Sequence, residues 1–139
     1  MIDKNIKSFE ERIGFSLPLI YRQFLLEKNG GTCRSKVLKT SAGVDVLANV
    51  LFSLDHPKNS LNLQSWYEEC EEDLPERSLA IGADSGSGLL ILCEIDGIWK
   101  VYFYDYSYTF LNSDDNENTY EIDYSLSELL SLCDDWKTN

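Results

Sequence analysis

The sequence predicts an α+β fold, in which an antiparallel sheet of about four to six strands packs against N-terminal, middle and C-terminal helices. Two apolar runs, 89–95 and 98–104, flank Asp96-Gly97, a dipeptide that favours a tight β-hairpin. Apolar residues recur at helical spacing near both ends of the chain and in its middle. The 139 residues, of which 43% are hydrophobic, suffice for one core. We therefore expect a single domain covering residues 1–139.

Two helices are predicted at the N-terminus. The first has apolar residues at positions i, i+3 and i+7, namely Ile6, Phe9 and Ile13, and Gly14 can end it. The second is predicted to open at Leu17-Pro18, because proline at the first helical position loses no hydrogen bond. Its apolar stripe consists of Ile20, Tyr21, Phe24 and Leu25. Asn29-Gly30-Gly31 is expected to end it, since both residue types tolerate left-handed backbone conformations.

The middle of the chain predicts a loop, a strand and a third helix. Residues 32–43 are polar and basic, which favours a loop, with a short edge strand as the alternative. The spacing of apolar residues does not decide whether 44–54 forms a helix or a strand. The β-branched residues at its start and the turn at Asp55-His56-Pro57 favour a strand. Residues 59–73 are predicted to be helical, with an apolar side formed by Leu61, Leu63, Trp66, Tyr67 and Cys70.

The hairpin around Asp96-Gly97 has a predicted register, because side chains alternate along a strand. Closing the turn there pairs Ile95 with Ile98, Cys93 with Lys100, Ile91 with Tyr102 and Leu89 with Tyr104. Both faces are largely apolar, so we expect the hairpin to lie in the middle of the sheet. A preceding strand at 78–82 leads into the glycine-containing segment 83–88. That segment joins two strands, which favours a hairpin connection, whereas phosphate-binding motifs require a following helix.

The C-terminal part predicts a loop followed by a last helix. Residues 105–121 are rich in aromatic and then acidic side chains, and they lack the spacing of a calcium loop, so a mobile polar loop is expected. Ser125 and Glu128 form a capping box. The stripe of the last helix is predicted from Leu126, Leu129, Leu130 and Cys133, with Trp136 one turn further.

The composition limits the classes of partner. The formal charge of −12 disfavours nucleic acid, whose phosphates require lysine and arginine, and favours a basic protein partner. The alternative is that the acidity only keeps the protein soluble. The N-terminus lacks an apolar signal-peptide segment, and no run of residues is long and apolar enough for a membrane span, so a cytoplasmic protein is expected. The four cysteines show no metal-binding spacing and are expected to be reduced and mostly buried.

No pattern of catalytic residues is visible in the sequence. His56, the only histidine, precedes Pro57 at a predicted turn, and no Ser or Cys nucleophile is placed near it. Carboxylates are so abundant that no pair stands out as an acid–base couple. We therefore expect no enzyme activity, no cofactor and no metal.

Three blocks of residues along the chain together form a longer pattern. The first block comprises Glu11, Gly14, Leu17-Pro18, Tyr21, Phe24-Leu25 and Asn29-Gly30-Gly31. A glycine-containing turn follows at Ile81-Gly82, Asp84, Gly86 and Gly88, then an aromatic strand at Val101, Phe103, Tyr104 and Asp105. These blocks resemble the SUKH superfamily, the domain of fungal cell-wall assembly regulators and bacterial immunity proteins, and the last helix also lies where that family has one. Leu89 and Tyr106 stand where the family often has an acid and a histidine.

The resemblance implies an α+β binding domain without a shared catalytic site, which in bacteria commonly neutralises a toxin, often a nuclease. The leading hypothesis is an immunity protein that blocks a cognate basic toxin, and the alternative is an intracellular scaffold or regulatory adaptor. Acids beside tyrosines suit an interface, because charges steer encounter and aromatics supply buried area. Candidate contacts lie at the end of the third helix and after the hairpin: Tyr67, Glu68, Glu69, Glu71, Glu72, Asp73, Asp105, Tyr106, Tyr108, Asp114, Asp115 and Glu117. The alternative for Tyr106 and Tyr108 is that they only cap the sheet edge.

Overall fold

The computed structural model describes residues 2–34, 37–40, 43, 45–85, 88–105 and 119–134, and it confirms the α+β prediction. Four α-helices are found among these residues: α1 (Ile2–Ile13), α2 (Leu19–Glu27), α3 (Leu63–Cys70) and α4 (Leu126–Leu130). A 3₁₀ turn at Asn59–Leu61 precedes α3. The strands are β1 (Gly31–Cys33), β2 (Val37–Lys39), β3 (Asp45–Leu51), β4 (Ser78–Asp84), β5 (Gly88–Ile95), β6 (Ile98–Asp105), β7 (Thr119–Glu121) and β8 (Cys133–Asp134).

The strands form one antiparallel sheet in the order β7-β6-β5-β4-β3-β1-β8, and β2 pairs with β3 beside β1. Eight strands within the described residues exceed the predicted four to six, because β1, β2, β7 and β8 are too short to show an alternating pattern. The sheet is curled, so that β2 and β7 meet. Thr40 forms a bridge with Ile122, and the backbone N–H of Asp123 donates to the carbonyl of Lys39 at 2.8 Å.

The central hairpin has the predicted register. Each predicted pair from Leu89–Tyr104 to Ile95–Ile98 is present, and the two turn residues have positive φ angles, 52° at Asp96 and 79° at Gly97. These angles fit a type I′ turn, as the Asp-Gly dipeptide predicts. Residues 88–93 of β5 are buried without alternation, so both faces of this strand are covered. The hairpin is therefore central to the core, as expected.

The first two helices bury the predicted stripes with one exception. Ile6, Phe9 and Ile13 are buried, and Gly14 follows α1 with a φ of 85°. In α2, Tyr21, Phe24 and Leu25 are buried, whereas Ile20 is 40% exposed. Pro18 is the N-cap and the helix begins one residue later than predicted. The cluster of buried apolar residues draws on all four helices and includes much of β3–β6.

The other two helices are shorter than predicted. Asn62 caps α3, its side-chain oxygen accepting the Ser65 N–H at 2.9 Å, so the helix starts after the 3₁₀ turn and ends at Cys70. The capping box of Ser125 and Glu128 is present. However, α4 ends at Leu130 and Cys133 lies in β8, which corrects the predicted helical position of Cys133. The carbonyl of Leu132 accepts the Arg34 N–H at 2.8 Å, so sheet pairing replaces another helical turn.

Gly88 makes room for an aromatic ring. A Cβ atom at this position would overlap the ring of Phe103, which lies over the glycine from the neighbouring strand. The glycine thus has a packing role in the sheet in addition to its place beside the turn, while Gly86 lies outside the described residues. No helix in the described part of the chain has the length and apolar character to cross a membrane.

Candidate partner-binding surface

The acidic end of α3, defined as Glu68, Glu69, Glu71, Glu72 and Asp73, is exposed. Glu68 forms an ion pair with Arg12 of α1, which ties the two helices together at their surfaces. In the described part of the chain, no lysine or arginine forms an ion pair with Glu69, Glu72 or Asp73, and the last turn of α3 has no basic residue. These acids lie near the negative end of the helix dipole, which is an unfavourable arrangement in the isolated protein.

Tyr67 lies at the border between the acidic end of α3 and the core. Its ring packs edge-on against Phe9 of α1, with the ring centroids 6.1 Å apart and the planes at 83°. Burial raises the pKa of the Tyr67 hydroxyl, and the charge and hydrogen bond of Glu71 raise it further, while Arg12 lowers it. The hydroxyl therefore stays protonated near the Glu71 carboxylate, and Tyr67 presents a half-buried ring edge beside the acids.

A cleft of about 400 Å³ opens beside Tyr67. It lies between the C-terminal ends of α1 and α3 and the start of β4, and Leu74 and Pro75 contribute apolar surface to it. Glu71 and Glu76 bring carboxylates to the same cleft, and both residues are exposed. The cleft therefore combines an apolar lining with negative charge, and it is large enough for one or two partner side chains.

An aromatic and cationic cluster adjoins the cleft. The rings of Phe15 and Trp99 lie with centroids 5.8 Å apart, and the Arg77 guanidinium carbon is 5.5 Å from the centroid of the Phe15 ring. Arg77 also pairs with Glu94 of β5, and its backbone has a φ of 58°. Tryptophan and arginine are enriched among residues that dominate binding energy. Backbone strain of this kind is tolerated only where the surroundings hold it in place.

The tip of the β5–β6 hairpin exposes apolar side chains on its other face. Ile95 and Ile98 face each other next to the turn and are 47% and 58% exposed. The Glu94 N–H donates to the Arg77 carbonyl at 3.0 Å, which fixes the start of β4 against the hairpin just before this tip. Because side chains alternate along a strand, Ile95 and Ile98 point to the face of the hairpin opposite Glu94 and Trp99, so they do not belong to the surface formed by Phe15, Arg77 and Trp99.

The sequence did not single out Phe15, Arg77 or Trp99 as candidate contacts. Phe15 follows α1, Arg77 precedes β4 and Trp99 lies in β6, and none of them belongs to a short-range pattern. Trp99 lies within the predicted hairpin, whose register places it opposite Glu94 but does not reveal its contact with Phe15. Their proximity depends on tertiary packing, so the sequence offered only the enrichment of such residue types at interfaces as a signal.

Asp105 lies far from the acidic end of α3. It is half-buried at the end of β6, where it pairs with Gly88. Ser78, next to the cleft, lies at the level of Cys93 and Lys100, which places Asp105 about 17 Å further along the strands. The structure therefore does not bring Asp105 to the acidic end of α3. Five other predicted contacts lie outside the described residues and stay predictions: Tyr106, Tyr108, Asp114, Asp115 and Glu117.

The described residues offer no arrangement typical of a metal site, since no group of three His, Cys, Asp or Glu side chains is placed to hold an ion. His56 is half-buried, and its Nδ1 accepts the Lys58 N–H at 3.0 Å. That hydrogen bond lies within the turn, in agreement with the turn predicted there. What the surface offers chemically is thus a combination of acids, aromatic rings and exposed apolar side chains.

Comparison with known proteins gives one match. The model of the SMI1 / KNR4 family (SUKH-1) matches residues 3–132, which is nearly the whole chain. The matched range includes α3, the cleft and the central hairpin. Neither the curated proteins nor the solved structures contain a match. The family match confirms the resemblance that the three sequence blocks predicted.

Proposed function

Because the chain belongs to the SMI1 / KNR4 family (SUKH-1), we propose that it is a non-catalytic protein-binding domain that neutralises a cognate toxin. The family includes toxin immunity proteins and regulators of the KNR4/SMI1 type. The observation that carries the proposal is the acidic end of α3, because uncompensated acids at a helix C-terminus are unfavourable until a basic partner neutralises them. The proposal places the protein in the cytoplasm, where it would meet a toxin delivered into the cell.

The proposed partner is a toxin with a basic surface, such as a nuclease. A nuclease that holds nucleic acid needs lysines and arginines, and the net charge of −12 complements such a surface. Acids at the interface rim raise the rate of encounter, whereas anchors buried in the centre set the lifetime of the complex. We assign the first role to the acidic end of α3 and the second to Tyr67 with the cluster of Phe15, Arg77 and Trp99.

The second candidate is an intracellular scaffold or regulatory adaptor. The exposed tip at Ile95 and Ile98 supports it, because an adaptor needs surface for more than one partner. The two candidates differ in what they bind. An immunity protein binds one toxin tightly, while an adaptor binds several unrelated cellular proteins.

Co-expression with the toxin domains encoded next to this gene tests the proposal. The expected result is that the chain restores growth and forms a stable complex with one of them. In that complex, Trp99→Ala should accelerate dissociation at least tenfold, as expected for a central anchor. Val37→Ala is the matched control, since Val37 is an exposed apolar residue on β2. Failure of every neighbouring toxin to bind, together with recovery of several unrelated partners, would replace the immunity assignment with the adaptor.

A further inference from the structure

Two cysteines from opposite ends of the sequence face each other in the sheet. Cys33 in β1 and Cys133 in β8 are direct cross-strand partners. Their side chains therefore share one face, and both are buried, with 8% and 0% of their surface exposed. No disulfide joins them in the structure. Cys70 lies in α3 and Cys93 in β5, and neither is paired across the sheet with another cysteine.

The neighbouring hydrogen bonds show which kind of antiparallel pair Cys33 and Cys133 form. The Arg34 N–H donates to the Leu132 carbonyl at 2.8 Å, so the next pair along, Cys33 and Cys133, is a non-hydrogen-bonded pair. The Cys133 carbonyl accordingly points away from β1 and accepts a hydrogen bond from Lys28 Nζ at 2.6 Å. In such pairs the Cα atoms lie about 4.5 Å apart, within the range of about 4.4–6.8 Å that disulfides span.

The sulfur of Cys133 packs against a glycine of β1. It lies above Gly31, where an added Cβ atom would be 2.8 Å from Cys133 Sγ. Gly31 is two residues before Cys33, and therefore on the same face of β1. Moving this sulfur towards Cys33 requires a rotation about χ1 that gives up the hydrogen bond from the Cys133 thiol to the Asp134 carbonyl at 3.6 Å.

We propose that Cys33 and Cys133 are a site of reversible disulfide formation that fastens β8 to β1. The oxidant is a small-molecule disulfide of the glutathione class. The thiolate of one cysteine attacks the oxidant's S–S bond and releases one reduced thiol. The second cysteine then loses its proton, attacks the resulting mixed disulfide and releases the other thiol. The protein thus gives up two protons and two electrons, and the oxidant takes up both.

The reaction requires transient opening of β8. Burial, together with nearby Cys133 and Asp134, raises the pKa of the Cys33 thiol to about 12, so little thiolate exists at neutral pH. However, β8 contains only two residues and lies at the end of the strand order, where local opening has a low free-energy cost. The bond therefore forms slowly and is stable once β8 has closed again.

Equilibration of the full chain with reduced and oxidised glutathione at pH 8 tests the proposal. After acid quenching and alkylation, the number of reactive thiols should fall from four to about two. Peptide mapping should find Cys33 linked to Cys133. The oxidised protein should melt roughly 5–10 °C higher, because the bond closes the long loop between residues 33 and 133, and the Arg34 amide should exchange more slowly.

Variants identify the pair and provide a control for folding. Cys33→Ser and Cys133→Ser should each abolish the cross-link, while Cys70→Ser and Cys93→Ser should retain it. The mapping uses the unmodified chain, so a variant that folds poorly does not decide the outcome. Four alkylated thiols at the most oxidising glutathione ratio would overturn the proposal, as would a bond that maps to Cys70 or Cys93.

Discussion

Neutralising the acidic end of α3 should stabilise the isolated protein and weaken its association with a partner. Glu69→Gln combined with Glu72→Gln removes two exposed carboxylates and changes the net charge from −12 to −10. A charge opposed to the helix dipole costs about 0.3–1 kcal/mol at low ionic strength. The double variant should therefore raise the free energy of unfolding by about 0.5–1.5 kcal/mol. Glu71 is left intact because it is hydrogen-bonded to Tyr67.

Urea unfolding at two salt concentrations separates this effect from other causes. At 10 mM salt the Debye length is about 30 Å and the gain should be largest, whereas at 1 M it is about 3 Å and the gain should nearly vanish. Asp96→Asn combined with Asp123→Asn is the matched control. Both are exposed, and neither lies at the C-terminal end of a helix.

The same variants test the proposed function. Binding to the cognate toxin should show an association rate reduced several-fold at low salt for the Glu69/Glu72 variant, with little change in dissociation. The control variant should behave like the unmodified protein. Equal stabilisation by both double variants would refute the reasoning, because it would indicate relief of general charge repulsion and no special position of these acids.

Three further outcomes are expected. Gly88→Ala should lower the free energy of unfolding by about 1–3 kcal/mol, because its Cβ overlaps the Phe103 ring, and Phe103→Leu should restore part of the loss in a double-mutant cycle. Tyr21→Phe should raise the free energy of unfolding by about 1 kcal/mol in urea, since the buried hydroxyl has no hydrogen-bond partner in the described structure; a decrease would reveal a partner for it. Burial raises the pKa of Cys70 to about 11, so above pH 9 the unfolded chain loses a proton that the folded chain keeps. Stability should then fall by at most about 1.4 kcal/mol per pH unit for this thiol between pH 9 and 11, and Cys70→Val should flatten that slope in urea titrations.

Local patterns predicted the elements whose geometry is decided locally. The turn at Asp96-Gly97 set the register of the whole hairpin, because a two-residue turn leaves one way to pair the strands. The capping box at Ser125 likewise marked the start of α4 correctly. The strand at 45–51 followed from β-branched residues and the turn after it.

Elements decided by distant partners were beyond the reach of sequence patterns. Cys133 continues the apolar spacing of α4. However, the N–H of Arg34, which is far away in the sequence, donates a hydrogen bond to the Leu132 carbonyl, and the segment pairs with β1 as β8. The acidic end of α3 was visible as a run of charges. The sequence did not show which residues lie near it in space, because Phe15, Arg77 and Trp99 come together only when the chain folds.

The meeting of β2 and β7 bears on how a partner is recognised. Open strand edges invite pairing with another chain, through their unsatisfied N–H and C=O groups. Here the Lys39 carbonyl is bonded to the Asp123 N–H, and the outward carbonyl of Cys133 is bonded to Lys28. These two edge carbonyls are thus already engaged within the fold. At these positions a partner would have to be recognised through side chains, which can change from one partner to another while the curled sheet beneath them stays the same.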